Sequence, residues 1–209
     1  MKSAKTLLIA DDHPVVRSAL RILVKQEGFQ RVFEASKGNE VISMIREHRP
    51  DVVVLDLVMP EMDGLDVLQR IRDNGMQCQV VVFTSLARTF YQERCMRAGA
   101  GAFVSKSSGM EDVLKALRAV SVGYTYFQSL PTVALDSLQR TEKEMIDKLS
   151  NRELTICLYL ANGLSNKEIA IIMHLSHKTI STYKTRLTEK LNLQSKVHLR
   201  DFCKRNHLI

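Results

Sequence analysis

The chain has 209 residues, 45% of them apolar and 25% charged, with four cysteines and a formal charge of +7. That length suits two small domains, and no stretch approaches the roughly 18 apolar residues of a membrane span. Asp11 and Asp12 follow the short apolar run of Met1–Ala10 at once, so no secretory signal is expected. Cys78, Cys95, Cys157 and Cys203 stand singly, without CxxC spacing or a nearby histidine pair. A disulfide frame or zinc site is therefore not expected, and a reducing cytoplasm is the expected location.

Residues 1–123 alternate between two textures. Short β-branched runs occur at Thr6–Ala10, Gln30–Ala35, Val52–Leu57, Val80–Thr84 and Ala102–Ser105. Amphipathic stretches of helical length lie between and after them, at Pro14–Glu27, Gly38–His48, Gly64–Asn74, Thr89–Ala98 and Gly109–Val122. Such βα repeats predict an α/β domain with a parallel sheet and helices on both faces, for which a flavodoxin-like strand order is the candidate. Val52–Leu55 shows no polar alternation, as a central strand buried on both faces requires.

Tyr124–Lys148 has weaker periodicity, contains Pro131, and reads as a linker with a short helix near Leu138–Leu149. Residues 149–209 are helical in pattern and predict an all-α, four-helix domain. Ser150-Asn-Arg-Glu153 and Ser165-Asn-Lys-Glu168 are capping boxes that start two helices. Ser176 caps a third, ending near Leu191, and a fourth covers Lys196–Lys204. Charge is uneven: 17 Lys+Arg face 15 Asp+Glu up to Gly123, 3 face 4 in the linker, and 10 face 4 from Leu149 onward. An excess of +6 in the last segment is what a domain facing a polyanion carries.

Asp11 and Asp12 follow the first predicted strand, Asp56 lies at the end of the third, Thr84 ends the fourth and Lys106 follows the fifth. In a parallel sheet all of these lie at the carboxyl edge, where open α/β folds bind ligands. Singly, an Asp after a strand is usually a turn or cap residue. Jointly, these residues make a site. Three clustered carboxylates repel and need a cation, and an oxygen-only set suits Mg²⁺. One carboxylate can then attack phosphorus while the metal and Lys106 neutralise the phosphoryl oxygens and Thr84 donates its hydroxyl.

Asp11-Asp12-His13-Pro14, Asp56-Leu-Val-Met-Pro60 with Asp63-Gly64, Thr84-Ser85 and Phe103-Val-Ser-Lys106 resemble the receiver domain of response regulators over about 120 residues. The resemblance implies Asp56 as phosphoacceptor, Lys106 as its partner, Thr84 as switch hydroxyl and Phe103 as the coupled aromatic. It implies Mg²⁺ held by Asp12 directly, Asp11 through water, Asp56 and the Val58 backbone carbonyl. Three positions depart from the common pattern: Ser107 replaces a proline that favours a cis peptide, Ser85 replaces a smaller alanine, and Phe103 lacks a tyrosine hydroxyl. His13 reads as a loop or cap residue. Val58 and Leu86 flank the approach of an attacking water and cannot orient it, so a long-lived phosphoryl group is expected.

On a wheel of about 100° per residue, Tyr183, Leu187 and Leu191 lie within about 60° of Ile180 and form the expected buried stripe. Lys178, Thr182, Thr185 and Glu189 lie opposite, Ser181 and Arg186 on the flanks, and Lys184 near the stripe with a stem that can snorkel. A short, polar, basic N-terminal half suits entry into a major groove. It also describes a solvated face; the +6 charge and the preceding helix-turn pattern favour the groove.

Leu149-Ser-Asn-Arg-Glu153, Gly163-Leu-Ser-Asn-Lys-Glu-Ile-Ala170, Ser176 and Thr179-Ile-Ser-Thr-Tyr-Lys184 resemble the LuxR/FixJ-type helix-turn-helix, and with the receiver the chain resembles the NarL/FixJ class of response regulators. Gly123–Phe127 and Lys178–Leu187 look most like its BvgA/EvgA branch, which serves hybrid sensor kinases. Ser181 and Tyr183 stand where lysine and histidine are commoner. The resemblance implies phosphorylation of Asp56 by a sensor histidine kinase or phosphotransfer domain, then a homodimer on double-stranded DNA that regulates transcription. Matching positions imply base-edge contacts by Ser181, Thr182 and Thr185, and phosphate contacts by Lys167, Lys178, Lys184 and Arg186. The last helix, with Val197, Leu199 and Phe202, is either a dimer surface or core packing. A ligand-sensing or phosphorylation-independent LuxR-type regulator is the alternative, opposed by the phosphoacceptor set. An enzyme acting on outside substrates would leave the DNA module unexplained.

Overall fold

Apolar runs without polar alternation become the middle of a sheet. In the computed structural model, which describes residues 5–129, 137–193, 195–206 and 208–209, β1 (Lys5–Ala10), β3 (Val52–Leu55) and β4 (Gln79–Thr84) are buried almost throughout. β2 (Phe29–Ala35) and β5 (Ala102–Ser105) complete an all-parallel sheet of order β2-β1-β3-β4-β5. This is the expected flavodoxin-like arrangement. Helices α1 (Pro14–Gln26), α2 (Gly38–His48), α3 (Gly64–Asp73), α4 (Arg88–Arg97) and α5 (Met110–Ser121) connect and follow the strands. Leu7, Ile9, Val52, Val54, Val81 and Val104 form one core layer with Leu20 and Val24 of α1 and Leu117 and Val120 of α5. Alternate strand residues such as Leu8, Val53, Leu55 and Phe103 are buried on the opposite face. Each such Val or Leu stabilises the fold by about 2 kcal/mol relative to an exposed one.

Two boundaries differ from the sequence reading in an instructive way. β3 stops at Leu55, although Leu57 is fully buried. Asp56 N–H still donates to Ala10 O (2.8 Å), after which the chain turns and Gly64 N–H donates to Leu57 O (3.0 Å). Leu57 is apolar because it packs under that turn, which composition cannot distinguish from a strand. The stretch after α5, read as the start of a linker, lies against β5. Tyr126 N–H donates to Gly101 O (2.9 Å), and Phe103 N–H donates to Tyr126 O (3.2 Å). Together they form a parallel bridge between Ala102 and Tyr126.

The chain divides into two compact units, Met1–Leu130 and Pro131–Ile209. The second is all-helical: α6 (Ser137–Asp147), α7 (Asn151–Ala161), α8 (Asn166–Ile172), α9 (His177–Lys190) and α10 (Lys196–Arg205). Both predicted capping boxes form, at Ser150 with Glu153 and at Ser165 with Glu168. α7 is the centre of this unit, burying Leu154, Ile156, Cys157 and Leu160 against its neighbours. The helix expected near Leu138–Leu149 is α6, and Glu142 ties it to Arg205 at 2.8 Å. Pro131, the sequence mark of the linker, lies outside the described residues. No described helix is long and apolar enough to cross a membrane.

Candidate functional site

Parallel strands deliver their following residues to one edge, and four of them converge there. Lys106 Nζ lies 2.7 Å from Asp11 Oδ2 and 2.6 Å from Asp56 Oδ2. Asp11 and Asp56 are buried, each 2% exposed, and Thr84 is fully buried. The Thr84 hydroxyl oxygen accepts from Leu86 N–H at 3.3 Å, and its side chain hydrogen-bonds Asp56. Because the oxygen accepts from Leu86, its proton is available to the carboxylate. Val58 N–H donates to the other Asp56 oxygen at 3.2 Å, and His13 N–H to Asp11 Oδ1 at 2.9 Å. The set expected from sequence, Asp11, Asp12, Asp56, Thr84 and Lys106, is thus assembled.

Charge in this cleft is imbalanced. Burial pushes Asp56 above the usual carboxylate range and Asp11 adds to this, while Lys106 and Thr84 pull against it. Burial works against the Lys106 charge, yet Asp56 and Asp11 outweigh it and hold the ammonium above its ordinary value. One lysine among three carboxylates leaves the cluster negative. Ligand atoms of Asp11, Asp12, His13 and Asp56 all lie within 4.8 Å of one another. The carboxylate oxygens form a hard donor set that fits a divalent cation such as Mg²⁺. His13 occupies the N-cap position of α1 without a side-chain cap bond; its ring is exposed, with Nδ1 2.6 Å from Asp12 Oδ1.

The neighbouring positions singled out in the sequence are placed as follows. The peptide after Lys106 is trans, as is every described peptide bond, so Ser107 in place of proline has its structural counterpart. Ser85 is exposed, and Phe103 of β5 is buried. Val58 is half-buried and Leu86 buried beside Asp56 and Thr84. Two supports were missed from sequence. Arg17 donates to the Asp11 carbonyl at 2.8 Å and pairs with Glu34, fixing the loop from its backbone side. Gly64 packs flat on the Asp56 backbone, so closely that a Cβ there would overlap the Asp56 carbonyl oxygen. Arg17 carries no distinguishing local signal; Gly64 carries one in the Asp63-Gly64 pair.

In the helical unit, Ser176 accepts from Thr179 N–H at 3.1 Å and starts α9. Asn166 Nδ2 donates to Ser181 Oγ at 3.2 Å, tying α8 to α9. Ile180, Leu187 and Leu191 form the buried stripe. Tyr183 departs from expectation: it is only half-buried, because it sits at the edge of the stripe, as does Lys184. Lys167, Lys178, Thr182, Thr185 and Arg186 are exposed, and Ser181 is half-buried. Thr182 and Thr185 hydroxyls donate to the carbonyls of Lys178 and Ser181 at 3.1 and 3.2 Å. Of the two readings of α10, packing holds for Leu199 and Phe202, both buried, whereas Val197 is 68% exposed.

Residues 7–118 match the response regulator receiver domain, and residues 147–203 match the bacterial regulatory proteins of the luxR family. The chain is 44% identical over 204 residues to the virulence factors putative positive transcription regulator BvgA of Bordetella pertussis, covering 97% of this chain and 98% of that one. It is 33% identical over 201 residues to the DNA-binding transcriptional activator EvgA of Escherichia coli K12, covering 96% and 98%. Among solved structures, the complex of the two-component response regulator RcsB with DNA superposes with a TM-score of 0.56 at 25% identity, covering 97% and 98%. A receiver fold with its acidic cluster, joined to a LuxR-type helical unit, makes this chain a transcriptional regulator of the NarL/FixJ class of response regulators, similar to the BvgA/EvgA branch.

Proposed function

We propose that Asp56 accepts a phosphoryl group from a sensor histidine kinase or phosphotransfer domain in the cytoplasm, and that this promotes a homodimer bound to specific sites on double-stranded DNA. The observation that carries the reading is the joint pairing of Lys106 with Asp11 and Asp56 beside Asp12. An Asp56 oxygen attacks phosphorus, and the leaving phosphohistidine nitrogen stays with the donor. Lys106 pairs with the transferred group and Thr84 turns its hydroxyl to it, while the buried Phe103 ring links that movement to β5. Asp11, Asp12, Asp56 and the Val58 carbonyl would hold Mg²⁺, which supplies neutralising charge when bound.

In the helical unit, Ser181, Thr182 and Thr185 face base edges, and Lys167, Lys178, Lys184 and Arg186 face phosphates. The exposure of Lys178, Thr182, Thr185 and Arg186 on α9 and of Lys167 on α8, together with the local +6 excess, supports this assignment. Residues 1–123 act as receiver, 124–148 as linker and 149–209 as DNA-binding domain. Beryllofluoride with Mg²⁺ tests the reading: the full chain should dimerise or bind DNA more tightly, and Asp56→Asn should abolish the response. Equal DNA occupancy by wild type and Asp56→Asn across the genome would overturn it.

A further inference from the structure

Gln92 is a polar side chain in a buried position. It lies in α4, is 6% exposed, and donates from Nε2 to the Gln128 carbonyl at 2.8 Å. Its Oε1 is buried with no hydrogen-bond partner among the described residues. A leucine or methionine would fill similar space without that uncompensated acceptor. What the amide adds is its bond to Gln128.

Gln128 follows Tyr126, which exchanges hydrogen bonds with Gly101 and Phe103 at the edge of β5. Residues 126–128 are therefore fastened to two elements at once: to α4 through Gln92 and to β5 through Tyr126. Both elements adjoin the acidic site. Thr84 ends β4 shortly before α4 begins at Arg88, and Lys106 follows Ser105, the last residue of β5. Thr84 and Lys106 both bond Asp56. A phosphoryl group on Asp56 would add charge and bulk at the carboxylate that both side chains bond, and Thr84 and Lys106 lead into α4 and out of β5 separately, so α4 and β5 need not shift together. The clasp that spans them registers the difference.

We propose that Gln92 is the positioning residue that couples Asp56 to the second unit: its bond to Gln128 seats residues 126–128 on α4 and β5, and phosphorylation breaks it. The seated segment leads through the chain to α6, so its release changes the freedom of the helical unit. This inference rests on the reading of Asp56 as phosphoacceptor.

The test compares full-length wild type, Gln92→Leu and Gln92→Met with and without beryllofluoride and Mg²⁺. Amide hydrogen exchange is read over residues 124–129, beryllofluoride binding by fluorine NMR, and affinity for a duplex recovered from genomic DNA by the wild type. In wild type, beryllofluoride should speed exchange in this segment, above all at the Tyr126 amide that bonds Gly101, by about threefold to tenfold, the size of one hydrogen bond. Both variants should show that faster exchange without beryllofluoride, bind it normally, and lose most of its effect on DNA affinity. Retention of the full wild-type response by both variants overturns the clasp. So does a rise in wild-type DNA affinity with unchanged exchange at these amides, which leaves the phosphoacceptor reading intact. Beryllofluoride bound at Asp56 with no change in dimerisation or DNA affinity overturns that reading, and the clasp with it.

Discussion

Asp56 is held on its backbone side by a glycine. A Cβ on Gly64 would come within 2.7 Å of Leu57 Cα and closer still to the Asp56 carbonyl oxygen, and both obstacles are backbone. Gly64→Ala must therefore push the β3–α3 turn away from the acidic cluster. It should cost about 1–3 kcal/mol of stability and weaken beryllofluoride binding, read by thermal unfolding and fluorine NMR. Wild-type values in both would show that the turn yields freely. Val58 is half-buried and Leu86 buried, and neither apolar side chain carries a group that could orient an attacking water. The phosphoryl group should persist for many minutes with Mg²⁺ present, and decay within seconds in purified protein would contradict this. Asp56 and its partners were legible from sequence because each polar residue adjoins an apolar run. The bond from Arg17 to the Asp11 carbonyl was not, because it depends on where a helix crosses a loop.

At the scale of elements, helix starts were the most legible feature. Ser150 Oγ accepts from Glu153 N–H at 3.3 Å, and Glu153 Oε2 accepts from Ser150 N–H at 2.7 Å. Glu153 is buried and also pairs with Lys190 of α9 at 2.7 Å, a contact between α7 and α9 that the capping motif alone does not announce. Burial works to raise its pKa, but the bonds from Lys190 and Ser150 prevail and hold it below the ordinary value of 4.5. A carboxylate with a depressed folded pKa contributes stability above its unfolded pKa and loses it as pH falls through the folded one. The melting temperature should drop as pH falls below 4.5, and Glu153→Gln should flatten part of that drop. Parallel pH profiles for the two proteins would rule out a stabilising role for this pair. Strand ends were less legible: Leu57 looks like β3 but packs beneath a turn, and hydrogen bonds rather than apolarity decide where a strand stops.

For the whole molecule, charge and helix geometry separate affinity from specificity. Lys178 is exposed and Lys184 half-buried on α9. Replacing either with Ala should weaken binding to all DNA sequences and lower the salt slope by about 1. Thr182→Ala should instead change discrimination between sites. Anisotropy titrations at several salt concentrations distinguish the two, and an intact site preference in Thr182→Ala would remove that residue from the readout. The two-unit organisation was legible from composition, whereas the seating of residues 126–128 on β5 was not, because a linker and an edge segment share the same weak periodicity. That seating has a colloidal consequence. Parallel sheets have two open sides through which copies can zip together. On one side, β2 exposes Gln30 and Arg31, with Glu34 engaged by Arg17 and Arg21, so charge discourages pairing. On the other, Tyr126 occupies the Phe103 amide and the Gly101 carbonyl. A receiver cut after Gly123 would leave both groups bare. It should self-associate at concentrations where a receiver ending at Leu130 sediments as a monomer, and equal sedimentation of the two would show that Tyr126 does not guard the sheet.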